Sequence, residues 1–430
     1  MTMYSAPGVY VEEVPGGARP IGAVGTSTAA FVGVAPDADA RQNEAVAVNS
    51  WTQFVRTFAS EATEGNALSH AVYGFFENGG GRCYVVNVPE GAPLAGAGRQ
   101  RGGLRVLEAV DEVAIVAAPG HTGPDAWEAL LAHCEKLEDR VAICDLAAEV
   151  DDVEALTRVA RGGAPTSSRR SRSSTAGADA SSDSADADAT DGDDSGGDDA
   201  ASAPPSDAEG LRPRQSAYGA AYFPHIVIQD PFSGARVATP PSGHLAGVWA
   251  RTDLSRGVHK APANEPVRGA TDLTYAVTRE EQSLLNPAGI NCIRFFAGEG
   301  ILVWGARTLD AEASEWRYLP VRRLFNMLKE SIGDGTRWIV FEPNDYILWR
   351  SIRRDISAFL TRVWRDGALF GRTPDEVFFV KCDAETNPPE VRDAGQVVAI
   401  IGVAPVKPAE FVVFKLSQWS GGAEIETIGG

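Results

Sequence analysis

Six histidines, five cysteines and a few short polar clusters are the residues of this 430-residue chain that could do chemistry. His70, His121, His133, His225, His244 and His259 never recur four apart, so no helix presents the paired imidazoles that hold a catalytic zinc. Cys83, Cys134, Cys144, Cys292 and Cys382 never form a CxxC pair. That removes a zinc ribbon, and an odd, scattered set fits folding in a reducing compartment without a disulfide framework. The cysteines read as small apolar residues. "GAGRQRGG" (96–103) is glycine-rich but lacks the GxxxxGK[ST] order of a phosphate loop. "FAGEGILVWG" (296–305) has its glycines between two strands, not ahead of a helix whose N-terminus could receive a pyrophosphate. No GxSxG elbow anchors a nucleophile. Ser242 and His244 in "PPSGH" are neighbours in sequence, an arrangement that seldom makes a catalytic pair. Glu342 and Asp345 in "FEPND" could act as acid and base, but a capped turn ahead of a helix accounts for both. These residues assign no catalytic group, no cofactor and no metal, and the expectation is a protein that is not an enzyme.

The elements that would have to position any site are clearer than the site. "STAAFVGVA" (27–35), "RCYVVNV" (82–88), "VAIVAAPG" (113–120) and "RVAICD" (140–145) read as buried strands. Between and after them, 50–59, 67–80, 125–137 and 150–162 have helical spacing, with Ser50 a candidate N-cap. This alternation predicts a mixed α/β fold with a mostly parallel sheet covered by helices. Further on come a strand "HIVIQD" (225–230), a helix through Leu245–Ala250 and a hairpin at 290–309. A strand leading to a helix is expected at 316–335, and a strand at 336–345. The helix 346–367 carries an apolar stripe of Ile352, Ile356, Phe359, Leu360 and Val363. Strands at 376–383 and 395–406 follow. Residues 163–211 are Ser, Asp, Ala and Gly with no aromatics, a composition that cannot bury enough apolar surface to order itself. They read as a disordered surface insertion.

Both ends share one design. "APGVYVEEV" (6–14) is a short strand followed by the Gly/Pro tether 15–25, and "FVVFKL" (411–416) is a two-faced apolar strand preceded by the stiff hinge "APVKP" (404–408). A lone strand on a tether has little stability until it joins a sheet edge. Joining another copy is β-augmentation, and two such strands per chain build an open, non-closing lattice. The formal net charge of −19 argues against a broad nucleic-acid footprint. The acidic, arginine-rich, lysine-poor composition fits a salt-adapted source, and equally a GC-rich genome. No run approaches a membrane span, and the N-terminus lacks the pattern of a signal peptide. Against this acidic background Arg350, Arg353, Arg354, Arg362 and Arg365 stand on one helix, either as a solvated face or as a docking face for an acidic partner protein.

The chain resembles the tail sheath proteins of contractile phages and of phage-tail-like contractile injection systems. The resemblance rests on "PGVYVEE" (7–13), "PPSGHLAGVWARTD" (240–253), "NPAGINCIRFFAGEGILVWGARTL" (286–309), "WRYLPVRRLFNML" (316–328), "VFEPND" (340–345), "LFGRTPDEVFFVKCD" (369–383) and "GVAPVKPAEFVVFKL" (402–416). It implies stacked sixfold rings around an inner tube, assembled in the cytoplasm on a baseplate and ended by a cap, that contract to drive the tube through a target envelope. The particle would be a virion tail or a released extracellular machine, without membrane insertion by this chain. Carried over by position, Val9, Tyr10 and Val11 would be the N-terminal insert, and Phe411, Val412, Val413 and Phe414 the C-terminal insert. Val397, Val398 and Ile400 would lie in the receiving sheet, and the five arginines would face the tube. The domain plan is an arm and tether at 1–25, a central domain at 26–288 with the insertion at 163–211, a C-terminal domain at 289–404 and a second arm at 405–430. The insertion departs from the family pattern. A static coat lattice using the same strand exchange, and a small-molecule-binding α/β enzyme built on 104–162, are the other readings the sequence leaves open.

Overall fold

A computed structural model describes residues 20–96, 101–160, 210–310 and 314–411. The strands in chain order are β1 (Ala29–Gly33), β2 (Val46–Val48), β3 (Cys83–Asn87), β4 (Ile115–Ala117), β5 (Val141–Asp145), β6 (Gly219–Phe223) and β7 (Ile226–Gln229). There follow β8 (Arg236–Thr239), β9 (Glu265–Pro266), β10 (Asp272–Leu273), β11 (Ile290–Phe296), β12 (Gly300–Trp304), β13 (Phe378–Lys381) and β14 (Ile400–Val403). The main helices are α1 (Trp51–Phe58), α2 (Ala67–Glu77), α3 (Pro124–Leu137), α4 (Ser242–Arg256), α5 (Arg279–Leu285), α6 (Leu319–Gly335) and α7 (Tyr346–Arg365).

Nine strands form one sheet in the order β2-β3-β1-β4-β5-β6-β11-β12-β9. The six from β3 to β11 run parallel, and short antiparallel strands close both edges. Strands such as β1 (AAFVG) and β5 (VAICD) are buried at every position because apolar layers cover both faces. Phe31, Ile115, Ile143 and Tyr222 belong to one layer with α2 and α4. Their neighbours Ala30, Val116, Ala142 and Phe223 belong to the other, with α3. A third core joins α6, α7 and the two-stranded ribbon β13–β14. Local caps set the helix starts. Ser50 accepts from the Gln53 N–H, Asn66 and Ser69 form a capping box, and Asp345 accepts from the Ile347 and Leu348 N–H groups.

Several expectations are corrected. The hairpin β11–β12 lies in the nine-stranded sheet, so that sheet extends past the boundary placed at 288/289. Residues 336–345 hold no strand: a 3₁₀ turn at Arg337–Ile339 packs Trp338 and Ile339 on the third core, and the segment ends at Asp345, the cap of α7. Where a helix is expected at 150–162, the described residues 150–160 hold a 3₁₀ turn at Val153–Thr157 and a bridge at Val159. The helix at 245–250 is longer, running Ser242–Arg256 until Gly257, at φ 91°, stops it.

A two-stranded ribbon and the roots of two arms

The ribbon follows from the sequence of its two short strands. In the antiparallel register Phe378 faces Val403, Val380 faces Ile401, Phe379 faces Gly402 and Lys381 faces Ile400. Directly opposed residues share a face. Phe378, Val380, Ile401 and Val403 therefore turn inward, and they pack on the third core together with Val397 and Ala399. Phe379, Ile400 and Val398 turn outward and are 57%, 49% and 37% exposed, with Lys381 at the end of the same face paired to Glu385. Of the residues expected in a receiving sheet, Val397 thus anchors the ribbon, while Val398 and Ile400 sit on its bare face.

Each ribbon strand pairs only with the other among the described residues. The Ala404 N–H donates to the Val377 carbonyl, extending the ladder at one end. At the other end the buried Asn387 side chain takes a strand's place: its amide oxygen accepts from the Val398 N–H at 2.7 Å and its nitrogen donates to the Val398 carbonyl at 3.0 Å. Even-numbered residues of the stretch 397–403 hence face β13, and Val397, Ala399, Ile401 and Val403 direct their backbone groups to an edge that no other described strand pairs. Unpaired backbone beside a bare apolar face is the physical requirement for accepting another strand.

The inserts Val9, Tyr10, Val11, Val412, Val413 and Phe414 lie outside the described residues. Phe411 is described and is 73% exposed. The roots of the arms differ from expectation, because residues 20–25, taken as flexible tether, are pinned. Ile21 is fully buried in the third core, and the Arg362 guanidinium donates to its carbonyl. The Val24 N–H donates to Ser331 Oγ at 3.0 Å. Thr26 Oγ1 donates to Asp253, and the Thr26 carbonyl accepts from Arg323, which forms a buried ion pair with Asp253 at 2.6 Å. One isoleucine in a Gly/Pro run is the only sequence signal for this anchor. The hinge 404–408 is likewise paired in part, with the Val406 N–H donating to the Ala368 carbonyl and the Phe370 N–H to the Ala404 carbonyl.

Next to Phe411, Glu410 is clasped by Arg307: Nε to Oε1 at 2.8 Å and Nη2 to Oε2 at 2.7 Å. Asn286 Nδ2 donates to the same carboxylate at 2.8 Å. Burial would raise the Glu410 carboxyl, but the Arg307 and Asn286 hydrogen bonds outweigh it and hold it below its ordinary value. No spacing rule could have paired residues 103 positions apart.

The five arginines of α7 do not form one free patch. Arg362 holds Ile21, and Arg354 pairs with its neighbour Asp355 at 2.9 Å. Arg350, Arg353 and Arg365 have no hydrogen bond or ion pair among the described residues.

The residues first weighed for chemistry are occupied in the fold. Ser242 is wholly buried and donates from Oγ to Asp145 Oδ2 at 2.6 Å, while its N–H donates to Oδ1 at 3.0 Å. It makes no bond to His244. Burial raises the Asp145 carboxyl to about 7 and lowers the His244 imidazole to about 3, and neither His244 nitrogen has a partner. The five cysteines are free and buried, and burial pushes the thiols up, to about 12 at Cys292. Asp345 is the N-cap of α7, as a capped turn requires. The insertion expected at 163–211 lies almost wholly outside the described residues, but its neck is defined: Val159 bridges Arg212, and the Ala160 N–H donates to the Arg212 carbonyl at 2.8 Å.

Residues 174–309 match the family model described as the phage tail sheath protein central domain, and residues 311–418 match the phage tail sheath C-terminal domain. The tail sheath protein of Vibrio phage KVP40 is 31% identical over 202 residues, 46% of this chain and 29% of the relative. The chain thus spans under a third of that curated relative. Two solved structures are covered almost end to end. The PVC sheath complex of an extracellular contractile injection system, in the contracted state, gives a TM-score of 0.73 at 27% identity over 98% of this chain and 99% of that one. A chain of the sixfold-symmetrised anti-feeding prophage baseplate gives 0.69 at 28% identity, over 97% and 99%.

Proposed function

Because the chain belongs to the phage tail sheath family, whose two domain models together match more than half of it, we propose that it is the structural subunit of a contractile sheath. Copies stack as hexameric rings around an inner tube in an extended, metastable state. Contraction then drives the tube through a target envelope. Assembly starts in the cytoplasm on a baseplate and ends at a cap protein. The strand 9–11 of one copy and the strand 411–414 of another add to the ribbon of a third, completing a four-stranded sheet. The observation that carries this reading is the ribbon, with two strands, open edges and a bare apolar face. Arg350, Arg353 and Arg365 offer uncommitted positive charge to an acidic tube surface. The insertion projects outward, where it does not obstruct ring stacking.

The test is microscopy of the chain co-expressed with its tube and baseplate partners, wild type beside a chain ending at Phe411, which keeps Glu410. Wild-type tubes of two lengths, lost on truncation, are expected. Normal tubes from the truncated chain would remove the C-terminal strand from the mechanism, and a single fixed tube length would favour a static coat.

A further inference from the structure

The position of Glu410 is peculiar for a largely buried ion pair. The chain leaves the ribbon at β14, makes a few backbone bonds to 368–370 and 377, and then returns to the nine-stranded sheet for a single carboxylate. Arg307 is itself fixed to that sheet. Its N–H donates to Asn291 Oδ1 at 2.7 Å, and Asn291 Nδ2 donates to the Arg307 carbonyl at 2.8 Å and to the Ala221 carbonyl of β6 at 3.1 Å. The third guanidinium nitrogen donates to the Asn286 carbonyl at 3.0 Å. Arg307 is 6% exposed, and Tyr318 adds a long contact to the carboxylate at 3.4 Å.

A strand pulled from its end along a ribbon peels one hydrogen bond at a time. Without Glu410, tension on the arm would reach β14, one of only two ribbon strands. With Glu410, tension enters a sheet of nine strands through Arg307 and Asn291. We propose that the Arg307–Glu410 pair is a strain-relief clasp, which carries tension on the C-terminal arm into the nine-stranded sheet and shields the ribbon from being peeled. The role rests on the reading that this arm is held by a neighbouring subunit. Glu410 is a positioning residue, acting on the arm through Arg307. It also leaves the ribbon intact to receive strands while its own arm is under load.

Because all five native cysteines are buried, introduced thiols give specific handles for single-molecule pulling on the full chain. One handle is Ser184→Cys, whose segment joins the body at the neck by Arg212; the other is Gly430→Cys. Wild type is expected to withhold the ribbon until high force. With Glu410→Gln added, an early low-force release of about 50 Å is expected, from residues 395–410 at roughly 3.4 Å each. A third chain keeps Glu410 and moves the second handle to Lys407→Cys, upstream of the clasp. It too is expected to give the early release, independently of whether Glu410→Gln disturbs folding. Absence of the early release from both altered chains would overturn the clasp. Because the pulling uses single chains, it decides the clasp even if the co-expressed chain forms no tubes, a result that would instead remove the lattice reading.

Discussion

The nine-stranded sheet and the two-stranded ribbon are built from the same kind of sequence and end in opposite conditions. "VAICD" and "FFVK" are both short apolar strands. The first is buried at every position between two layers, and the sheet around it ends in short antiparallel strands. The second turns Phe379 to solvent and, among the described residues, has an unpaired edge. A sheet that is complete stabilises its own chain. A ribbon that is incomplete stores its remaining stability for whatever strand is added. The contrast is between folding and assembly, and substitutions should separate the two.

The largest effect is expected in the complete sheet. Phe31→Ala opens a cavity at a wholly buried position between β1 and α2, and should lower the unfolding free energy by about 3–5 kcal/mol in denaturant titration. A change below about 1 kcal/mol would mean that this layer is looser than its burial indicates.

Next is the pH response of the same layer. Burial lowers His244 from 6.5 to about 3, so the unfolded chain takes up a proton that the folded chain refuses. Stability from this group is full above pH 6.5 and is lost as pH falls below it. Asp145 runs the other way: raised to about 7, it gains stability as pH falls from 7 toward 3.8. The two nearly cancel in wild type between pH 7 and 5. His244→Leu removes one side, so the variant should gain about 2 kcal/mol on wild type over that interval. A pH-independent difference between the two would contradict the buried, neutral imidazole.

The ribbon should behave differently. Phe379→Ala should change subunit stability by no more than about 0.5 kcal/mol, since the ring is largely exposed, yet sharply lower the yield of tubes. Unchanged assembly would show that the bare face is not covered by added strands. The smallest effect on folding is expected from Arg350→Glu, Arg353→Glu and Arg365→Glu together, which should leave unfolding nearly unaltered and release the sheath from its tube partner on co-purification. An intact pair would return these arginines to a solvated helix face.

The sequence showed the parallel sheet because strands covered on both sides become continuous apolar runs, and showed α7 because its buried stripe repeats with the helical period. β6 was missed because "GAAYF" is mostly small residues, and β9 and β10 because two residues carry no period. "RWIVF" has the composition of a strand, but nothing in the composition says that it turns as a 3₁₀ helix to pack Trp338 and Ile339 on the third core. Phe341, at φ 70° and fully exposed, is the clearest case. For the ribbon, its strands were legible and its partner-seeking state followed only from the pairing. The arm roots were illegible because Ile21 to Arg362 and Glu410 to Arg307 are joined over hundreds or a hundred residues by single side chains.

The neck at Val159 and Arg212 has a consequence of its own. Its two ends already touch, so the body does not register how much chain hangs between them. Closing a longer loop costs only about 0.6 kcal/mol for each doubling of its length. Such a point is a permissive graft site, where a tag, an adhesive module or a charged brush can be exchanged once per subunit without renegotiating the fold.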